Sequence, residues 1–261
     1  MLEYACIAPH APILVKEVAG SRYGDVAATA SAFDKVAERL AGLGVETVVL
    51  ISPHGPNLRN SFVVASSPQI HADLSRFRAP HVTFSGEVDS ELTVALLREP
   101  QASGDSGWGR ALDWGCSVPL LCLREGLKGV RFLLVGISAL EPKDHFLFGE
   151  TLERVVNSLG RRAAVICSAD LSHAVTHDAP SGYSPQGAIF DRDYQKAVAA
   201  WDVEWILKQT YEGRREAAED AVPQTSILMG ALKNYTVHPT VLSYQAPFGV
   251  GYMVAEMEVA K

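Results

Sequence analysis

The stretches Ile7-Ala8-Pro9-His10-Ala11-Pro12 and Ile51-Ser52-Pro53-His54-Gly55-Pro56 carry one pattern twice. Each ends a short apolar run, and each sets a histidine between prolines. The run reads as a buried strand. Proline fixes φ and removes a backbone donor, so the chain leaves the strand in a stiff, extended loop. In an open α/β sheet, loops at the carboxyl ends of strands are where ligand-binding groups sit. Two such loops, each offering an imidazole, make half of a metal site.

Outward from these loops, further strand-like runs follow. With the first two they are Tyr4–Ala8, Thr47–Ser52, Ser61–Ala65, Arg131–Ile137, Ala163–Ser168, Thr240–Tyr244 and Gly251–Val259. All are short and rich in Val, Ile, Leu and aromatic residues. Between them, Val26–Leu43 and Glu141–Leu159 repeat apolar residues with helical period. The second begins Glu-Pro and stops at Gly160, good start and stop signals. Asp191–Lys208 and Ser226–Leu232 are further predicted helices. Strand alternating with helix predicts an α/β fold, a mainly parallel central sheet with helices on both faces. One domain over residues 1–261 is the economical reading. Pro68–Gly109 is more polar and less periodic, and is expected to run over the surface.

The composition is that of an ordinary globular chain, with enough apolar residues for a normal core. A net charge of −7 gives no basic footprint for nucleic acid or an anionic membrane. No apolar run is long enough to span a bilayer, and the N-terminal stretch lacks the basic start of a signal peptide. The four cysteines form no CxxC pair, and Cys6 and Cys167 fall inside predicted strands as small hydrophobes. A reduced, cytoplasmic setting is expected.

A third strand exit is Val165-Ile166-Cys167-Ser168-Ala169-Asp170-Leu171-Ser172-His173. Asp170 is three residues before His173, close enough to orient its ring. An acidic cluster, Glu216-Ala217-Ala218-Glu219-Asp220, precedes a helix that starts near Pro223. Carboxylates there would meet a helix N-terminus, which favours negative charge. Two imidazoles and one carboxylate with open positions left over form the facial triad of non-haem Fe(II) oxygenases.

On these residues the chain resembles a known family. The ordered segments IAPHAP, ISPHGP, LDWGCSVPL, CSADLSH and APFGVGYMVA are similar to those of the LigB-type, or class III, extradiol ring-cleavage dioxygenases. Within that superfamily they most resemble the Memo-like branch, including protein B of the AmmeMemoRadiSam system. The resemblance runs over nearly the whole chain. It implies a LigB-like (phosphorylase-like) fold and metal ligands at His10, His54 and Glu219. It also implies an acid/base histidine at His173, with Asp170 supporting it. The Memo branch often has cysteine where Glu219 falls; a carboxylate favours a hard, iron-competent site. Fe(II), or another divalent metal in its place, is the expected cofactor. A catechol-type aromatic and O₂ are the expected substrates. The family often dimerises, so a homodimer is among the expected states.

One segment departs from the family. Asp-His-Gly commonly precedes its Val-Pro-Leu segment; here the chain reads Asp113-Trp114-Gly115. Asp113, Trp114 and His177 are expected around the substrate. Trp114 in place of histidine also feeds an alternative: a metal-binding protein without ring cleavage, acting through partners or beside a radical-SAM protein. His71, His81, His145 and His238 lack the strand-exit setting and are expected to pack or lie at the surface. No Gly-x-Ser-x-Gly elbow accompanies Ser52, Ser168 or Ser172, which argues against a hydrolase. Gly249-Val250-Gly251 reads as a tight turn rather than a phosphate loop.

Overall fold

The computed structural model describes residues 1–260. Ten strands are present among them: β1 (Leu2–Ala8), β2 (Thr47–Ser52), β3 (Phe62–Ala65), β4 (Gln69–Leu74), β5 (Ala79–Val88), β6 (Ala102–Asp105), β7 (Arg131–Gly136), β8 (Ala163–Ser168), β9 (Thr236–Gln245) and β10 (Tyr252–Ala260). The α-helices are α1 (Lys16–Ala19), α2 (Ala27–Leu43), α3 (Ser90–Leu96), α4 (Trp114–Cys122), α5 (Pro142–Ser158), α6 (Pro185–Ala199), α7 (Val203–Leu207), α8 (Tyr211–Ala217) and α9 (Val222–Ala231). One sheet holds all the strands, in the order β4-β5-β7-β2-β8-β1-β10-β9, with β3 and β6 branching from β7. Its centre, β5-β7-β2-β8-β1, is parallel. Antiparallel pairs close both ends: β1-β10-β9 on one side and β4-β5 on the other.

The central strands are buried along their whole length, as strands covered on both faces must be. Successive side chains of β2 enter opposite cores. Val49 and Ile51 pack with Phe148 of α5, Val198 of α6 and Ile227 of α9. Val48 and Leu50 pack with Phe33 and Val36 of α2 and with Val118 and Leu120 of α4. This is the α/β sheet with helices on both faces that the alternating pattern predicts.

Local signals fix several ends. α5 starts with Pro142 at N1, under a capping box formed by Glu141 and Asp144. α2 stops at Gly44, whose φ of 61° is left-handed. The predicted helix over 191–208 differs: it starts earlier as α6, and breaks at Trp201, which has a φ of 54°, before α7. α9 likewise begins at Val222, ahead of the expected Ser226. The stretch from Pro68 to Gly109 is not a plain surface excursion. It supplies β4, β5, α3 and β6, and β4 alternates strictly between exposed and buried residues. Gly249-Val250-Gly251 is a turn leading into β10. Among the described residues, no helix is long and apolar enough to cross a membrane.

What the fold does for chemistry is set by three neighbours, β2, β8 and β1. They run parallel and in register, with Ile51 beside Cys167 and Ala8 beside Ser168. Their carboxyl ends therefore open side by side. His54, Asp170 and His10 each follow one of these ends by two residues.

Candidate metal centre

His10 and His54 meet at that edge, with Nε2 atoms 3.0 Å apart. Asp220 completes the group. Its Oδ2 lies 3.5 Å from His10 Nε2 and 3.2 Å from His54 Nε2. Among the described residues these three form the group of potential metal-ligating side chains that converge. Ligand atoms about 2.1 Å from a shared cation, and at right angles around it, are about 3.0 Å apart. The spacing therefore fits one cation held on one face by two nitrogens and one oxygen.

The hydrogen bonds of His10 set which nitrogen is free. Ser168 Oγ donates its proton to the Gly115 carbonyl. It must then accept from His10 Nδ1, 3.0 Å away. In its neutral form, the one able to bind a metal, His10 carries its proton on Nδ1 and the Nε2 lone pair faces His54 and Asp220. Asp170 holds the same loop, accepting the His10 backbone N–H at 2.8 Å. His10 is almost wholly buried. Burial opposes its charge, but the carboxylates of Asp170, Asp220 and Asp113 outweigh burial and lift it to about 9. Asp220 moves the other way: against the effect of burial, His10 and His54 hold it far below the usual carboxylate range. The group thus attracts positive charge strongly.

Asp220, rather than Glu219, supplies the carboxylate. This corrects the expected ligand set by one residue, and the reason is local. Glu219 Oε2 accepts the backbone N–H groups of Ala221 and Val222 at 2.6 and 2.7 Å, at the start of α9. Its Oε1 pairs with Arg214. With its side chain fully buried in these contacts, Glu219 is spent on the helix end. Asp220 is turned to the other side by a backbone bridge to Asp170, its N–H reaching the Asp170 carbonyl at 3.2 Å. Gln224 Nε2 further holds the Asp220 carbonyl at 2.7 Å.

His173 stands beside the group. Its Nδ1 lies 3.1 Å from the Ala218 carbonyl, which can only accept, so Nδ1 carries the proton and Nε2 has a free lone pair. Asp170 Oδ2 lies between the rings, 3.9 Å from His173 Nε2 and 3.7 Å from His10 Nε2. Asp170 thus holds the His10 loop through its backbone and sets its carboxylate within 3.9 Å of both rings.

Of the residues expected around a substrate, Asp113 and Trp114 are at the site. Asp113 caps α4 through the Cys116 N–H and accepts from Ser52 Oγ and Trp108 Nε1 at 2.7 Å each. The Trp114 ring lies 4.2 Å from the His54 ring, tilted by 33°. His54, Trp108 and Asp113 also line a cavity of about 760 Å³ that opens beside the group. His177 is not brought there; it is exposed and its ring lies against Tyr183, 4.5 Å away. His145 is buried in packing contacts, donating from Nδ1 to the Glu141 carbonyl, and burial lowers it to about 4.

Sequence reasoning missed Asp220 and the structural roles of Ser168 and Gln224. A signal for Asp220 existed: adjacent acids before a helix cannot both face its N-terminus, so one must turn away.

Residues 4–255 match the family described as the catalytic LigB subunit of aromatic ring-opening dioxygenase. Protein CA_C1420 of Clostridium acetobutylicum is 28% identical over 262 residues, which cover 96% of this chain and 56% of that protein. The chain thus spans little more than half the length of that curated relative. The crystal structure of protein JW3007 from Escherichia coli K12 superposes with a TM-score of 0.66 over 97% of this chain and 99% of that one. Its sequence identity of 14% makes this a likeness of fold.

Proposed function

Since the chain belongs to the LigB family, we propose that it is a non-haem Fe(II)-dependent extradiol dioxygenase that opens a catechol-type aromatic ring with O₂. The observation that carries this reading is the convergence of His10, His54 and Asp220 beside a histidine that is not one of them. Two nitrogens and one oxygen on one face match the two-histidine, one-carboxylate set of Fe(II) oxygenases. When bound, the metal supplies a Lewis-acidic, redox-active centre where a diol and O₂ can be brought together.

The chain's own residues account for binding and proton transfer. The cavity beside His54 admits the substrate ring, with the indole of Trp108 on its wall and that of Trp114 against the His54 ring. His173 Nε2 removes a proton from a ring hydroxyl and later returns it, a task suited to an imidazole near neutral pH. The Ala218 carbonyl keeps that nitrogen free by holding Nδ1–H. Asp170 steadies the imidazolium that forms. Ser168 keeps His10 in the tautomer a ligand needs.

One observation favours a second reading, a metal-binding protein without ring cleavage that acts through partners. Trp114 places a bulky ring against His54, where the family commonly has histidine. A single experiment separates the two. Protein purified anaerobically is loaded with Fe(II), analysed for metal, and exposed to air with a panel of catechols. One iron per chain and a yellow ring-opened product support the dioxygenase. One iron per chain with no product from any catechol supports the second reading. No bound iron refutes the dioxygenase, and no binding of any divalent metal refutes both.

A further inference from the structure

Asp191, on α6, is a buried carboxylate that the chemistry above does not use. Its Oδ1 accepts the Ser172 N–H at 2.8 Å, and its Oδ2 accepts the Tyr244 hydroxyl at 2.6 Å. No Lys or Arg pairs with it among the described residues. The start of β10 passes directly over it: a Cβ on Gly251 would fall 2.1 Å from Oδ2, so only glycine fits there. Gly251 in turn ties down the same loop. Its carbonyl accepts the Leu171 N–H at 2.8 Å, and its N–H donates to the Ser172 carbonyl at 2.9 Å. Ser172 Oγ donates to the Ala217 carbonyl at 2.6 Å. The next residue is His173.

A hydrogen-bonded tie alone does not need a charge. Asparagine would accept the Ser172 N–H without the cost of burying an anion. That cost shows in Asp191 itself, which burial raises to about 6 against the stabilising bonds from Tyr244 and Ser172. The ionisable groups whose charges reach it are His173 and Asp170 on the loop, Tyr244 on β9 and Tyr194 on its own helix. Of these, only His173 can become positive.

We propose that Asp191 is a positioning residue for His173: through Ser172 it fixes the loop that presents the imidazole, and its buried charge favours the protonated ring. This rests on the reading in which His173 is the acid/base group. During turnover the ring must take up a proton and give it back. The Asp191 carboxylate, when ionised behind the loop, holds that cation without touching the substrate or the metal.

The test is Asp191→Asn, which keeps the shape and removes the charge. Metal analysis, NMR titration of the imidazole in the zinc-loaded protein, and the pH profile of kcat/KM are compared with the wild type. The expected result is unchanged metal per chain, a His173 titration moved to lower pH by roughly half a unit or more, and an acidic limb of kcat/KM moved with it. A His173 titration that stays in place overturns the proposal. Should the variant fail to fold, the wild type decides. As Asp191 titrates, the Ser172 amide resonance must shift, and the His173 ring signals must respond at the same midpoint. An amide response with a silent ring overturns the proposal. The NMR measurements need no turnover. A wild type that cleaves no catechol therefore refutes the dioxygenase reading while Asp191 is still judged on His173.

Discussion

Glu219→Gln and Asp220→Asn are a pair of near-isosteric changes one residue apart, and the structure assigns them opposite consequences. The Glu219 side chain is fully buried, accepts two backbone N–H groups at the start of α9 and pairs with Arg214. Removing its charge strands the guanidinium, because the amide NH2 of Gln must then face either Arg214 or the two backbone N–H groups. Breaking a buried pair from one side costs about 3–5 kcal/mol. For a chain of this size, each kcal/mol moves Tm by about 2–4 °C. Glu219→Gln should therefore melt roughly 10 °C lower and still bind one metal per chain. Asp220→Asn replaces the charged member of the converging group with a neutral amide. Loss of a residue that merely supports a ligand weakens metal binding by about 10–100-fold, so loss of the carboxylate itself should weaken it by at least about 100-fold. The assay is anaerobic Fe(II) titration followed by metal analysis of desalted protein, with thermal melts of the same samples. A Glu219→Gln protein that loses its metal, beside an Asp220→Asn protein that keeps it, would refute the assignment.

Ser168→Ala should loosen the His10 tautomer and weaken metal binding by about 10–100-fold with little change in fold, read by competition with a chelator. His173→Gln should keep full metal content while ring cleavage slows by about a hundredfold or more; metal loss in that variant would contradict the separation of roles. The metal-free protein should lose stability as pH rises. His10 holds its proton up to about 9 in the fold, against about 6.5 in an unfolded chain. The folded state therefore binds the extra proton in that window, and its stabilisation is complete below pH ~6.5 and gone above pH ~9. The loss is about 3 kcal/mol. Urea melts across this range would show it, and saturating Zn(II) should abolish the decline, because binding needs the deprotonated ring. A flat profile without metal would contradict the charge balance assigned to His10.

The two Pro-boxed histidines, and the strand that runs into Asp170 and His173, were legible because buried parallel strands are continuous apolar runs and their exits are polar. The same holds for α2 and α5, whose stops and caps are local. The strand β4 was missed: Gln69-Ile70-His71-Ala72-Asp73-Leu74 alternates between exposed and buried, but the polar residues around it masked the period. The site's third member was harder. Glu219 and Asp220 are equivalent as chemistry and adjacent in sequence. The choice between them depends on Arg214, on two amides of α9 and on a bridge to Asp170.

Sequence alone therefore determined the layers of the fold and the two imidazoles, since both follow from short-range patterns of burial and backbone restriction. Tertiary structure decided which carboxylate joins them, which tautomer His10 adopts, and that His177 stays outside. Each of those outcomes turns on a hydrogen bond or a ring contact, and in the first two the partners are brought together by strand order rather than by spacing along the chain. Nothing in a local pattern ranks one acid above its neighbour until the partner that claims the other is in place.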